Sequence, residues 1–347
     1  MIKDMILELE HKNDLTYNNM SLIMDNIFRG KFSDNEIADF LKKLTEKGET
    51  DDEILGMLDK MDERSLHINP DINDTIIDVC GTGGDNMQTF NVSTTASFVI
   101  AAAGGHVAKH GNRSVSGICG SADIFESLGY DLESSPEKVA SILKKHRICF
   151  LFAQKFHPSM RMVSKARKIV GKKTIFNLLG PLTNPSNVKN QVIGVYSEIF
   201  IDRLPRILQK RNFENVMCVR AENGMDEFST NVKNKVSFLH ENKIKSMVVD
   251  PQNYGLTKSS LDQIQVSTFE QAISSFVSVL KGTANRSMIE TTALNAAAGL
   301  IVANKAESFS EGIELSLKTI ESGRSFQLLQ DFVKDCGDLN KFEEIDQ

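Results

Sequence analysis

Residues 81–85 read Gly-Thr-Gly-Gly-Asp, three glycines within four residues, between the apolar run 75–80 and the helix-like segment 91–100. A strand, a glycine loop and a helix in that order can present backbone N–H groups to an anion, because glycine admits positive φ and lets the backbone approach a ligand. A plain tight turn would use the same glycines, so the weight falls on the residues around them. Gly81, Gly84 and Asp85 are followed by Thr89, Asn91, Val92, Ser93 and Thr94, which add hydroxyl and amide groups. Ser93 and Thr94 are also common helix-start residues. A second group, residues 109–121, carries two cations, an imidazole, an amide, three hydroxyls and three glycines, among them Lys109, His110, Gly111, Asn112, Arg113, Ser114, Val115, Ser116, Gly117 and Ser121. That mixture suits a multiply charged phosphate better than a structural turn, while Ser121 is also placed to cap the helix it opens. A third, Asp226-Glu227 beyond Gly224, has the adjacent carboxylates that hold Mg²⁺, an oxygen-seeking cation often shared with substrate phosphates. Arg167 lies on a helical stretch before the turn-rich run 174–185, a carboxylate-binding candidate on a surface where most arginines are merely solvated.

These groups must be held by the elements between them. Residues 1 to about 68 have apolar positions at helical spacing among charges, with helix starts near Asp34 and at residues 50–53. After the polar linker 69–74, β-rich runs at 76–80, 106–109, 148–153, 192–196 and 216–220 alternate with helical stretches, which predicts right-handed crossovers and a mostly parallel sheet flanked by helices. Runs near Val236 and Met247, joined by a polar turn, read as a hairpin-like excursion, and the chain is helical again from Ser287. The expected organisation is a small helical domain over 1–70, joined by part of 160–185, and an α/β domain over 71–347. In such a sheet ligands gather beyond the carboxyl ends of the strands, where the first three groups lie.

The net charge of −6 argues against a nucleic-acid or anionic-membrane surface, so a polyanionic ligand must be met by local groups. No apolar run approaches the ~18 residues of a membrane span, and five widely spaced cysteines without a C-x-x-C pair form neither a zinc site nor a disulfide framework. A cytoplasmic protein is expected.

Together, 81–85, Asn91-Val92-Ser93-Thr94, Lys109-His110-Gly111-Asn112-Arg113, Gly120-Ser121-Ala122-Asp123, the run 176–185, Met225-Asp226-Glu227 and Ala293-Leu294-Asn295-Ala296-Ala297 resemble the anthranilate phosphoribosyltransferase family in order and spacing. The resemblance implies a helical domain and an α/β domain with the active site in the cleft between them, and a homodimer formed through the helical domain. The implied reaction joins the anthranilate amine to the anomeric carbon of phosphoribosyl pyrophosphate and expels pyrophosphate, the second step of tryptophan synthesis from chorismate. It assigns the sugar-phosphate substrate to Gly81, Gly84, Asp85, Thr89, Asn91, Val92, Ser93, Thr94, residues 109–117 and Ser121. Mg²⁺ falls to Ser93, Asp226 and Glu227, and anthranilate to Gly81, Asn112 and Arg167 with His110 and Pro181 along its path. Lys109, Asn112 and Arg167 are the catalytic candidates. One turn departs from the family pattern: where a serine- and lysine-containing sequence is usual, this chain has Ser116-Gly117-Ile118-Cys119, so Ile118 supplies no cation and phosphate contact there is left to backbone. The alternatives weighed are a pyrimidine-nucleoside phosphorylase and a non-enzymatic nucleic-acid-binding relative, the latter disfavoured by the acidic balance and the retained acid pair.

Overall fold

The computed structural model describes residues 1–85, 87–114 and 117–345. Four helices open the chain, α1 (Ile2–Glu10), α2 (Tyr17–Phe28), α3 (Asp34–Lys47) and α4 (Asp51–Asp62). Strand β1 (Ile76–Gly81) then leads to α5 (Val92–Ala102), β2 (His106–Gly111), α6 (Ser121–Ser127), α7 (Pro136–His146) and β3 (Ile148–Phe152). A helical excursion follows as α8 (Ala153–Phe156), α9 (Arg161–Val170) and α10 (Phe176–Leu179), before β4 (Asn190–Gly194), α11 (Arg203–Lys210), β5 (Asn215–Ala221), β6 (Asn234–His240) and β7 (Lys243–Val249). The chain closes with α12 (Phe269–Lys281), α13 (Arg286–Val302), α14 (Phe309–Glu321), α15 (Arg324–Cys336) and α16 (Leu339–Ile345). Two compact units result: Met1–His67 with Ala153–Pro185, and Ile68–Phe152 with the chain from Ser186 onward.

The larger unit is a seven-stranded sheet in the order β3-β2-β1-β4-β5-β6-β7. Strands β3 to β5 are parallel, and β6 and β7 add an antiparallel edge. The turn between β6 and β7 is two residues, Glu241 and Asn242, both at positive φ (47° and 57°), the backbone a tight hairpin needs to match strand twist. Strand β4 begins at Asn190, two residues earlier than its apolar run suggests, because its polar start is buried and paired: Asn215 Nδ2 donates to Asn190 Oδ1 at 2.8 Å. Helix α13 is apolar nearly all round and packs on α5 and α14, as a helix enclosed on most sides must. On the other part of α5, Phe98 stacks or tilts against Phe125, Phe276 and Phe332, and Tyr130 completes this aromatic layer by donating to Phe150 O at 3.0 Å. All five cysteines are free thiols. Among the described residues no helix is long and apolar enough to cross a membrane.

In the helical unit, α3 and α4 each start on a capping box, Ser33 with Glu36 and Thr50 with Glu53. Glu53 is buried, and its carboxylate also accepts Leu15 N at 2.8 Å and the Lys47 ammonium at 3.0 Å, so the charge is fully partnered. The excursion Ala153–Pro185 belongs to this unit through pairings such as Leu66 N to Phe156 O at 2.8 Å and Ser65 Oγ with His157 Nδ1 at 2.7 Å.

Burial, reinforced by His67 nearby, pushes the His157 imidazole down from 6.5 to about 4. The unfolded chain therefore takes up this proton first as pH falls, so stability present above about 6.5 is lost progressively toward about 4, by up to ~3 kcal/mol. Urea unfolding across that range should show this decline, and His157→Asn should flatten it; an unchanged pH dependence in the variant would refute the assignment.

Candidate functional site

Strand order reverses at β1: the chain first builds outward through β2 and β3, then returns to place β4 on the other side of β1. The carboxyl ends of β1 and β4 therefore mark the switch point of the sheet, the place where open α/β sheets bind ligands. The two strands end side by side at Gly81 and Gly194, and Thr82 N donates to Gly194 O at 2.9 Å. Neither position tolerates a side chain. A Cβ on Gly81 would lie 2.5 Å from Asp226 Oδ2, and one on Gly194 would lie 1.4 Å from the Asp226 carbonyl oxygen.

Into that space comes the loop after β5. Asp226 Oδ2 accepts the Gly83 N–H at 2.6 Å, Asp85 Oδ2 faces Asp226 N at 3.4 Å, and Glu227 Oε1 accepts Ser93 N at 2.9 Å. Gly83 and Gly84 hold positive φ (73° and 82°), which directs the Gly83 amide at the carboxylate. Glu227 thereby caps the first turn of α5, an acid at the positive end of its dipole. Asn91, at the N-cap position, does not cap with its side chain; its Nδ2 instead donates to Cys119 O at 3.0 Å, tying the first loop to the second.

Asp226 is buried and Glu227 partly exposed. Burial first, then the neighbouring Asp85 carboxylate, raises Asp226, and burial, Asp226 and Asp85 raise Glu227 well above its ordinary value. No lysine or arginine makes an ion pair with either among the described residues; the Gly83 and Ser93 amides and the nearby Lys109 ammonium offset the pair only in part. Among the described residues no group of three or more His, Cys, Asp or Glu side chains forms a ready cage. A cation here would take two carboxylates and the Ser93 hydroxyl from protein and its remaining oxygens from water and phosphate, which suits Mg²⁺ and not a closed structural site.

Lys109 and His110, on β2, are buried. The Lys109 ammonium donates to Val79 O at 2.7 Å and lies 3.4 Å from Ser93 Oγ, so it sits at the start of α5 beside Glu227's anchor. The loop after β2 turns on glycine as well: a Cβ on Gly120 would lie 2.3 Å from Ser114 N, and one on Gly111 2.0 Å from Ser121 Oγ. Ser121 is the first residue of α6 and not its cap; Asp123 accepts Gly120 N at 2.8 Å, and Ser121 Oγ reaches Asn112 O at 3.4 Å. Ser114 Oγ and Gly117 form a small turn at 2.7 Å. Arg113 is directed to α6, bidentate to Glu126 at 2.6 and 2.7 Å and to Asp123 at 3.0 Å. Its guanidinium is thus already satisfied by carboxylates whose geometry it matches. Val115 and Ser116 lie outside the described residues.

Val92, counted among the site residues from sequence, has its side chain in an apolar cluster with Phe90, Met225, Ile264 and Met288, which leaves no polar contact for that side chain to make. Ile118 and Cys119 pack on the same cluster, which accounts for the missing cation: the turn is held down by apolar burial. Thr89 bridges to Gln265 at the edge of this layer. Arg167 and Pro181 belong to the helical unit. The half-buried guanidinium of Arg167 stands over the Phe176 ring at 5.8 Å and lies 3.4 Å from Asn177 Oδ1; burial alone lowers it, and among the described residues it has no carboxylate partner.

Two positioning residues escaped the sequence reading. Gly194 ends an apolar run like many strand residues, and only the nearness of Asp226 reveals why it is glycine. Asn295 on α13 accepts Phe228 N at 2.9 Å and donates to Phe228 O at 2.8 Å, clamping the residue next to Glu227. A buried asparagine in an alanine-rich helix was the available signal, since its amide must find partners.

Residues 3–65 match the glycosyl transferase family helical bundle domain, and residues 73–326 match the same family's a/b domain. The chain is 61% identical over 345 residues to an anthranilate phosphoribosyltransferase of Nitrosopumilus maritimus, covering 99% of both chains, and 45% identical over 315 residues to that of Cenarchaeum symbiosum, covering 91% and 92%. The crystal structure of the Thermus thermophilus anthranilate phosphoribosyltransferase superposes with a TM-score of 0.87 at 34% identity, covering 95% of this chain and 98% of that one. A yeast anthranilate phosphoribosyltransferase in complex with PRPP and Mg shares the fold, with a TM-score of 0.85 at 24% identity over 96% and 97%. With both domain types matched and identity sustained from end to end, the chain belongs to the anthranilate phosphoribosyltransferase family.

Proposed function

We propose that the chain transfers the phosphoribosyl group of phosphoribosyl pyrophosphate to the amine of anthranilate, giving N-(5-phosphoribosyl)anthranilate and pyrophosphate, a step of tryptophan synthesis. The observation that carries the assignment is the acid pair Asp226-Glu227, anchored on the Gly83 and Ser93 amides at the glycine loop with the Lys109 ammonium close by. An aromatic amine is neutral near pH 7 and already nucleophilic, so the demanding parts are placement and stabilisation of the leaving group. The glycine-loop amides around residues 83–85 and the Lys109 ammonium would take up charge as it accumulates on pyrophosphate. Ser93, Asp226 and Glu227 would hold Mg²⁺, which when bound neutralises pyrophosphate charge and orients it. Arg167, lacking a carboxylate of its own, would pair with that of anthranilate, and Asn112 with His110 would fix the ring. The oligomer we assign is a cytoplasmic homodimer through the helical unit, whose Leu7 and Leu22 side chains are half exposed.

The direct test is loss of anthranilate fluorescence on mixing with phosphoribosyl pyrophosphate, with and without Mg²⁺; absence of turnover in both would overturn the assignment. Asp226→Asn with Glu227→Gln should lower kcat by ~10²-fold, and near-normal turnover of this variant at limiting Mg²⁺ would count against the metal role. Arg167→Ala should raise KM for anthranilate much more than KM for phosphoribosyl pyrophosphate; equal effects would remove it from the carboxylate. Gly81→Ala meets the seated Asp226 carboxylate and Gly194→Ala the Asp226 backbone, so each should lower activity by ~10-fold or more, with the larger fall in Tm at Gly194, where no side chain can turn aside. Thermal melts beside the fluorescence assay distinguish the two glycines, and identical behaviour would show that Asp226 is not what they accommodate.

A further inference from the structure

Strand β2 is bound unequally to its two neighbours. It pairs with β3 from Val107↔Ile148 through Gly111↔Phe152, but with β1 only at Ile76↔His106 and Ile77↔Val107. On its other side β1 stays paired with β4 as far as Gly81↔Gly194. The ladder between β1 and β2 therefore stops just before the glycine loop, and two side chains bond across the strands where it stops. Asp78 Oδ1 accepts the His110 N–H at 3.2 Å, and the Lys109 ammonium donates to Val79 O at 2.7 Å. Each replaces a backbone partner that a regular ladder would have supplied.

Asp78 is fully buried. Its second oxygen faces Gln191 Nε2 at 3.4 Å, and Gln191 is itself buried opposite it on β4 and touches Cys80 Sγ at 3.2 Å. A carboxylate at the centre of a parallel sheet is costly to desolvate, and an apolar residue would serve packing better. What it accomplishes is geometric. It holds the His110 amide on a side chain in place of the β1 backbone, at the residue next to Lys109, whose ammonium reaches Val79 O and Ser93 Oγ.

We propose that Asp78 is a positioning residue for phosphoribosyl transfer: by holding the His110 amide where the β1–β2 ladder stops, it fixes the adjoining Lys109 backbone and, through it, the place of the Lys109 ammonium at the pyrophosphate cradle. This rests on the reading of Lys109 as a phosphate-binding cation. It predicts an effect confined to one substrate. Asp78→Leu, close in size but without an acceptor, should raise KM for phosphoribosyl pyrophosphate by ~10-fold and lower kcat, leaving KM for anthranilate within about twofold. Asp78→Asn keeps an oxygen for the His110 amide and should recover most of the loss, to within about threefold of the parent.

A double-mutant cycle with Lys109→Met separates positioning from general loosening. If Asp78 acts through Lys109, Asp78→Leu should have little further effect on that KM in the Lys109→Met background. Should Asp78→Leu not fold, Asp78→Ser, too short to reach the His110 amide, takes its place in the cycle. Equal effects on both substrates, additive effects of the two substitutions, or an Asn variant no better than Leu would overturn the proposal. A Lys109→Met enzyme with unchanged KM for phosphoribosyl pyrophosphate would instead remove the underlying reading of Lys109, an outcome visible before Asp78 is altered.

Discussion

The contact between Asp226 and the backbone of Gly83 is the constraint from which the rest of the site follows. A loop from β5 can reach the end of β1 only if nothing projects from the ends of the two strands it crosses, and Gly81 and Gly194 are the places where those ends lie bare. Once Asp226 is seated there, Glu227 falls at the first turn of α5, and Asn295 holds Phe228 behind it. The glycine loop is thus defined as much by the acid it receives as by the anion it was expected to cradle. One carboxylate takes a loop amide and the next a helix amide, both of them N–H groups suited to an anion.

This arrangement shows how an acidic protein can handle a strongly anionic substrate. Overall charge offers no attraction, and two buried or half-buried carboxylates at the cradle make the local potential more negative still. Their elevated proton affinities mark a place that favours added positive charge. Lys109 supplies some of it from beneath the sheet end, while Arg113 is committed to Glu126 and Asp123 and Ile118 to an apolar cluster.

Much of this was legible from residue order because glycine, proline and clustered polar groups are poor at packing and conspicuous when grouped. The strands from Ile76 to Val249, the helical beginning and the three loops bearing chemistry could all be read from period and composition. What could not be read depends on partners distant in the chain. Asn190 and Gln191 look unlike a strand until their buried partners on β5 and β1 are known, so the apolar run alone starts β4 two residues late. Ser121 resembled a cap, and only the backbone shows that the helix begins one residue earlier in its bonding, on Gly120 and Asp123. Val92 resembled part of a polar motif because its neighbours are polar, whereas its side chain faces the apolar layer. Gly194 carried no local signal at all.

The antiparallel turn of the sheet at β5 has a bearing on the acid pair. In a crossover, the segment leaving β5 would run on into a helix and share that helix's motions. Here it returns to its own strand: Ala221 pairs with Asn234, Glu222 N is bonded to Lys233 O, and Ala221 N to Met225 O. Residues 222–233 therefore form a loop already closed at its neck by the ladder. Two oxygen donors mounted on a closed ring lose less freedom on meeting a cation than two on an open tether, so for the cation proposed here part of the chelate effect would be built in during folding.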